Sequence, residues 1–147
     1  MIAVFLVFVI LLWYSFFMTL GQQKTILNVE TNPSLKNFYD KCDAIAEKGS
    51  FRFIMGLAGL VFGVWNLFAP DFGHPEYGPT LFGALIPSAI LLLNGLVWYE
   101  NVVDLFNITD EQKQSYHRFI EAYKPWGGLI TFIVAWLHLA LAKVVFF

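Results

Sequence analysis

Two carboxylates and an arginine occupy positions in this chain where they could form an ion pair or bind a cation or proton. Glu100 ends an apolar stretch and Asp104 comes one helical turn later, a spacing at which two like charges need compensation. Arg52 begins another apolar stretch, and a membrane would place it at the depth of Glu100. We therefore expect an ion pair between Arg52 and Glu100. The alternatives are a cation or proton site formed by Glu100 and Asp104, and simple exposure to interfacial water.

His138 lies within the last apolar stretch, about 16 Å from its start at a rise of 1.5 Å per residue. A polar ring near the middle of a membrane is costly unless it is paired. We expect a neutral imidazole bonded to Ser88, Asn66 or a partner subunit. The alternatives are ligation of haem iron or a chlorophyll-type magnesium, and a proton relay. Apart from His138 the sequence offers no cofactor site, and lipids are the expected ligands.

Small and amide residues recur within two of the apolar stretches. Gly56, Gly59 and Gly63 follow one another at three- and four-residue steps, which opens a smooth face where another helix backbone can approach closely. We expect this glycine face to pack against a helix of the same chain or of a partner. Asn66 continues that face and Asn94 lies in the next stretch, and both are expected to form interhelical hydrogen bonds.

Known catalytic motifs are missing. The chain has no G-x-S-x-G, HExxH, Walker or Rossmann sequence. Its single cysteine, Cys42, excludes an intrachain disulfide and a CxxC redox pair, and is expected to pack on the apolar side of a helix. We therefore predict no catalytic residue, no metal site and no enzyme activity.

Composition indicates a membrane protein. Hydrophobic residues make up 58% of the chain and charged residues 14%, whereas soluble domains have about 25% charged residues. The net charge of -2 and the absence of a basic run argue against nucleic-acid binding. The predicted partners are membrane lipids, other integral membrane subunits or further copies of the chain.

The elements that position these residues follow from hydropathy. The pattern predicts an all-α, polytopic membrane protein with a single domain over residues 1–147. Its transmembrane helices are expected at 2–20, 52–69, 79–100 and 128–147, with a kink at Pro87 in the third. Two amphipathic helices are expected on the cytoplasmic side: 33–48, which begins at Asn32-Pro33, and 110–124, which begins at a Thr109–Gln112 capping box and ends at Pro125.

Basic residues predict the orientation. Lysines and arginines gather between the first and second spans and between the third and fourth, whereas residues 70–78 contain none. An even number of spans puts both basic connections on the cytoplasmic side, so both termini should face away from the cytoplasm of a plasma or inner membrane.

Two functions remain open at the level of sequence. The first is a small non-catalytic subunit that packs against partner transmembrane helices and assembles, anchors or stabilises a larger complex. The alternative is a small homo-oligomeric transporter or channel in which Glu100, Asp104 and the polar residues of the spans line a path. Cofactor binding through His138 is a third, weaker hypothesis.

Overall fold

The computed structural model of the protein describes residues 2–68 and 84–141. Within these ranges the chain is α-helical with two short 3-10 turns and has no strand, as the hydropathy pattern predicts. The six α-helices are α1 (Ile2–Met18), α2 (Leu20–Ile26), α3 (Pro33–Ala46), α4 (Gly49–Phe68), α5 (Leu85–Trp98) and α6 (Asp110–Ala140). The 3-10 segments are Val29–Thr31 and Glu100–Leu105.

Helices α1, α4, α5 and α6 form a bundle in which each of them runs antiparallel to the next. The rings of Phe17 at the end of α1, Phe51 at the start of α4 and Trp98 at the end of α5 contact one another, with centroids 4.8 to 6.4 Å apart. Phe8 near the start of α1 contacts Trp136 near the end of α6, with ring centroids 5.1 Å apart. The two polar connections, residues 19–48 and 99–109, therefore meet at one end of the bundle, which we call the polar end.

The predicted glycine face packs within the chain, against α5. A Cβ placed on Gly59 would come 2.6 Å from Gly95 Cα, and one placed on Gly63 would come 2.7 Å from Leu92 Cγ. A Cβ on Gly56 would overlap Tyr99. Because only glycine fits these positions, α4 and α5 approach backbone to backbone. The glycine face therefore contacts a helix of the same chain.

A second close contact joins α1 to α6. A Cβ on Gly127 would lie 2.6 Å from Met18 Cε, and one on Gly128 would lie 2.5 Å from Thr19 Cγ2. Fully buried side chains fill the centre of the bundle, among them Val7, Leu11, Leu91 and Ala135. The hydroxyl of Tyr14 donates to the Met55 carbonyl and ties α1 to α4.

Helix α3 is the predicted first amphipathic helix, two residues shorter than expected. Asn32 Oδ1 accepts from the backbone N–H groups of Ser34 and Leu35, and Pro33 occupies the first turn. Tyr39 and Cys42 are buried against Phe17 and Leu20 at the end of the bundle. The predicted packing of Cys42 is therefore confirmed.

Two boundaries differ from the sequence prediction. The helix predicted to end at Pro125 continues through it, so the expected interfacial helix 110–124 and the described part of the expected fourth span form one helix, α6. Pro125 cannot donate to the carbonyl of Glu121, but Glu121 is exposed and water can bond that carbonyl. The expected first span also ends early, because the chain bends by 67° between α1 and α2.

Helix α5 begins at Leu85, so Pro87 lies in its first turn, where an N–H would have no helical partner. The parts of the predicted spans at residues 69, 79–83 and 142–147 lie outside the described residues.

Length and composition single out one helix of the described chain, α4, as able to cross a membrane, and α1 with α2 qualifies if the bent pair counts as one span. Helix α5 is apolar but shorter. This test therefore does not confirm the predicted four spans.

Candidate functional site at the polar end of the bundle

Glu100 lies where the polar ends of three helices meet. It begins the 3-10 segment that follows α5, and its Oε1 accepts from Arg52 Nη2 at 3.0 Å and from Lys124 Nζ at 2.8 Å. Lys124 also pairs with Glu121 at 2.7 Å. The predicted pair of Arg52 and Glu100 is confirmed. Lys124 was not identified from sequence, although its place at the end of the expected interfacial helix indicated the same depth.

Lys124 is held in its charged form by this network. Partial burial lowers the pKa of its ammonium, but the hydrogen bonds to Glu100 and Glu121 outweigh burial and raise the pKa above its ordinary value. One carboxylate, Glu100, therefore neutralises two cations in part, and the network joins α4, α5 and α6 through a single residue.

Asp104 is paired separately. It lies in the 3-10 segment, and its Oδ1 is 3.4 Å from Lys113 Nζ. Among the described residues no three His, Cys, Asp or Glu side chains come together as a metal site would require. Glu100 and Asp104 thus each have cationic partners of their own, and a shared cation site between them remains only a prediction.

An open cavity of about 380 Å³ adjoins this network between α3 and the bundle. Its walls combine apolar groups with charges of both signs, and the charged residues are Asp43, Glu47, Arg52, Glu100 and Lys124. Trp98 also lines it, and within the described chain the Trp98 indole nitrogen is buried without a hydrogen-bond partner. A second cavity of about 310 Å³ shares Arg52, Trp98 and Glu100 with it, and either could accept a small polar group.

Asn94 organises the polar contacts inside the bundle. Its Nδ2 donates to Thr131 Oγ1 at 2.9 Å, and its Oδ1 accepts from the Tyr123 hydroxyl at 3.1 Å. Thr131 in turn lies 2.6 Å from the Gly127 carbonyl. Asn94 and Thr131 are fully buried, so the group joins α5 to α6. The predicted interhelical role of Asn94 is confirmed, whereas Tyr123 and Thr131 were not identified from sequence.

Asn66 has the same role nearer the other end of the bundle. Its Nδ2 donates to Ser88 Oγ at 3.0 Å, which joins α4 to α5. Ser88 is fully buried, so its hydroxyl needs such a partner. Asn66 and Ser88, two of the groups expected to bond His138, therefore bond each other.

His138 is 2% exposed and lies seven residues beyond Thr131 on the inner face of α6. Its side chain is therefore buried within the bundle, two residues before the end of α6, and the predicted position near the middle of a membrane stays a prediction. The haem or chlorophyll hypothesis stays a prediction, since the test it needs is spectroscopic.

The fold and these contacts define a class: an all-α protein whose long helices are tied by glycine contacts, interhelical amide bonds and an ion-pair network at one end. Residues 1–138 match one family model, and the chain belongs to that family, whose function is unknown. No curated protein and no solved structure matches the chain.

Proposed function

We propose that the protein is a polytopic membrane protein in which α1, α4, α5 and α6 cross the bilayer, and that it serves as a non-catalytic subunit packed against partner transmembrane helices. Its role would be to assemble, anchor or stabilise a larger complex. The support comes from the outer surface of the bundle and from the way the internal polar groups are used.

The outward faces of the long helices are apolar. Large exposed side chains follow α1, α4 and α6, among them Phe5, Val9, Ile54, Leu57, Val61, Val64, Phe132, Ile133 and Leu137. Leaving apolar surface in water costs about 25 cal/mol per Å², so faces of this extent favour a nonaqueous surrounding. Helix α4 has 20 residues, a length of about 30 Å, which matches the hydrocarbon thickness of a bilayer.

One patch on this surface supports a protein partner rather than lipid alone. Trp136 is 50% exposed, and its ring contacts Phe8 and Phe132. Phe5, 59% exposed, extends the patch through Phe8. We call this group of aromatic residues on α1 and α6 the aromatic patch. It combines a large apolar area with the rigid rings that dominate protein interfaces.

The depth of Trp136 is the observation on which the proposal depends. Trp136 lies twelve residues beyond Lys124 on α6, which is about 18 Å at 1.5 Å per residue. Tryptophan prefers the membrane interface, where its N–H meets water. An indole within the hydrocarbon region has no such partner in lipid, and a polar group on a neighbouring protein helix can supply one.

The orientation proposed from sequence agrees with the packing. Both basic connections lie at the polar end, where Arg52 and Lys124 meet Glu100. If that end faces the cytoplasm, both termini lie on the opposite side. A tag at either terminus that is accessible only from outside the cytoplasm would agree with this orientation.

Co-purification tests the partner role. The full chain, carrying a small affinity tag, is isolated from native membranes in mild detergent. We expect stoichiometric partner proteins, and at least a tenfold loss of them in Trp136→Ala. Trp13→Ala is the matched control, because Trp13 is 52% exposed on α1 but lies nearer the polar end. Recovery of the lone chain, or equal partner yields from both variants, would contradict the proposal.

The homo-oligomeric transporter or channel remains the second candidate. Its support is the series of polar residues inside the bundle: Asn94, Thr131, His138, Ser88 and Asn66. Four of these are bonded to one another in pairs, which favours structural contacts over a path. Solute flux into liposomes that exceeds empty vesicles and falls in Glu100→Gln would favour the transporter over the subunit.

A further inference from the structure

We propose that the cavity between α3 and the bundle binds the zwitterionic headgroup of a phospholipid, in which a phosphate and an ammonium group are recognised together. This inference relies on the membrane location proposed above and adds a ligand to it. The ligand chemistry follows from the charges that line the cavity and from which of them are already paired.

The phosphate half would bind to Arg52 and Lys124. Both cations line the cavity, and both share the single carboxylate of Glu100. The guanidinium of Arg52 makes one hydrogen bond within the described chain, from Nη2 to Glu100, whereas a guanidinium has five N–H donors. The remaining donors suit the oxygens of a phosphate, which arginine binds in a bidentate fashion.

The ammonium half would bind to Glu47. This residue follows the last turn of α3, is exposed, and forms no ion pair with any described residue. Asp43, the other carboxylate that α3 contributes to the cavity, is already 2.5 Å from Lys24 Nζ. Glu47 is therefore the cavity carboxylate that is available to a cationic group.

The balance of charge selects a zwitterion over an anion. The lining holds two cations, Arg52 and Lys124, and three carboxylates, those of Asp43, Glu47 and Glu100. A phosphate without a compensating positive group would face these carboxylates at close range, and like charges disfavour binding. A phosphoethanolamine group offers a phosphate to the two cations and an ammonium group to a carboxylate.

Size and position agree with a lipid. A volume of about 380 Å³ lies within the range of about 300 to 1,000 Å³ that small-molecule sites occupy. Met18, Val97 and Trp98 give the cavity an apolar wall, suited to the glycerol backbone and the first methylenes. The cavity lies at the polar end, the level at which headgroups are found if α1 and α4 cross the bilayer.

Binding of short-chain lipids to the detergent-solubilised full chain tests the inference. Calorimetric titration is carried out with short-chain phosphatidylethanolamine, with the matching phosphatidylglycerol, and with water-soluble glycerophosphoethanolamine as competitor. We expect phosphatidylethanolamine to bind at least tenfold more tightly than phosphatidylglycerol. Glycerophosphoethanolamine in excess should displace it, because the headgroup is what the cavity recognises. Equal affinity for the two lipids, or no displacement, would overturn the proposal.

Glu47→Gln gives the sharpest variant, since Glu47 is exposed and its loss removes no internal contact. It should weaken phosphatidylethanolamine binding about tenfold, whereas phosphatidylglycerol binding should not weaken, because the substitution removes one of the carboxylates that repel an anion. Glu111→Gln, an exposed carboxylate on α6 outside the cavity lining, is the control and should bind like the wild type. An unchanged affinity in Glu47→Gln would show that acyl chains alone bind, which overturns headgroup recognition.

Lys124→Gln tests the phosphate side against Lys113→Gln, a lysine of the same helix that is ion-paired to Asp104 outside the cavity lining. Only Lys124→Gln should weaken the binding of phosphatidylethanolamine. The result is separate from the partner role, because co-purification depends on Trp136 and these titrations use the isolated chain. Loss of the partner with retained lipid selectivity would therefore contradict the proposed function alone.

Discussion

Gly59 and Gly95 meet where α4 crosses α5, with no side chain between the two backbones. A Cβ on Gly59 would lie 2.6 Å from Gly95 Cα, and a Cβ on Gly95 would lie 2.8 Å from Leu60 N. Contacts this close depend on van der Waals packing rather than on burial from water, which is the form of helix association expected inside a membrane.

Gly59→Ala should destabilise the protein, because the added methyl group meets backbone that cannot move without shifting a helix. Overpacking of this kind costs about 1 to 3 kcal/mol, to be seen as a lower midpoint of thermal unfolding in detergent by circular dichroism. Gly21→Ala is the control, since nothing lies within 4 Å of the added atom. Alanine in α2 should be neutral or slightly stabilising. A midpoint for Gly59→Ala at or above that of the wild type would contradict the packing.

Asn94→Ala should also destabilise the bundle, since it removes the partner of Tyr123 and one partner of Thr131. Interhelical hydrogen bonds in membranes are worth about 0.6 to 1.7 kcal/mol. A double-mutant cycle with Tyr123→Phe should give a coupling energy in that range, measured by unfolding in mixed detergent. Additive effects of the two substitutions would mean that the hydrogen bond between Tyr123 and Asn94 contributes nothing.

Glu100→Gln should loosen the polar end. The substitution breaks the pairing with both Arg52 and Lys124, and a loss of about 1 kcal/mol is expected for partly exposed pairs. Glu121→Gln, which removes only the outer partner of Lys124, should have a smaller effect. Because screening weakens exposed pairs, the difference between Glu100→Gln and the wild type should shrink in high salt. A difference that does not change with salt would show that the network is not electrostatic.

Local sequence signals predicted the contacts that depend on few residues. The Asn32 cap and the Thr109–Gln112 capping box are present as expected, because capping joins a side chain to backbone N–H groups two or three residues away. The pairing of Arg52 with Glu100 followed from equal membrane depth alone. Depth is a single coordinate that hydropathy supplies without any knowledge of the fold.

Predictions failed where tertiary packing overrides a local rule. A proline usually ends a helix, yet α6 continues through Pro125, and its neighbouring turns contact α1 and α2 through Gly127 against Met18 and through Gln22, whose Nε2 donates to the Pro125 carbonyl. Tyr123 and Thr131 were missed for a related reason. Each is an ordinary residue of an amphipathic or apolar stretch, and only the rotation of α6 about its axis brings both to Asn94.

The buried hydroxyl of Tyr123 should make stability depend on alkaline pH. Burial raises the pKa of Tyr123 above its ordinary value, because a phenolate is poorly solvated there. The folded pKa thus exceeds the unfolded pKa of about 10. The contribution of the neutral hydroxyl is complete below that unfolded pKa and is lost as the pH rises through the raised folded pKa. Ionisation also removes the proton that Tyr123 donates to Asn94. The wild type should therefore lose stability relative to Tyr123→Phe above about pH 10, measured by unfolding of both proteins across the alkaline range. All other titratable groups are the same in the wild type and in Tyr123→Phe. A difference in stability between the two proteins that stays constant across that range would therefore contradict the role of the Tyr123 hydroxyl.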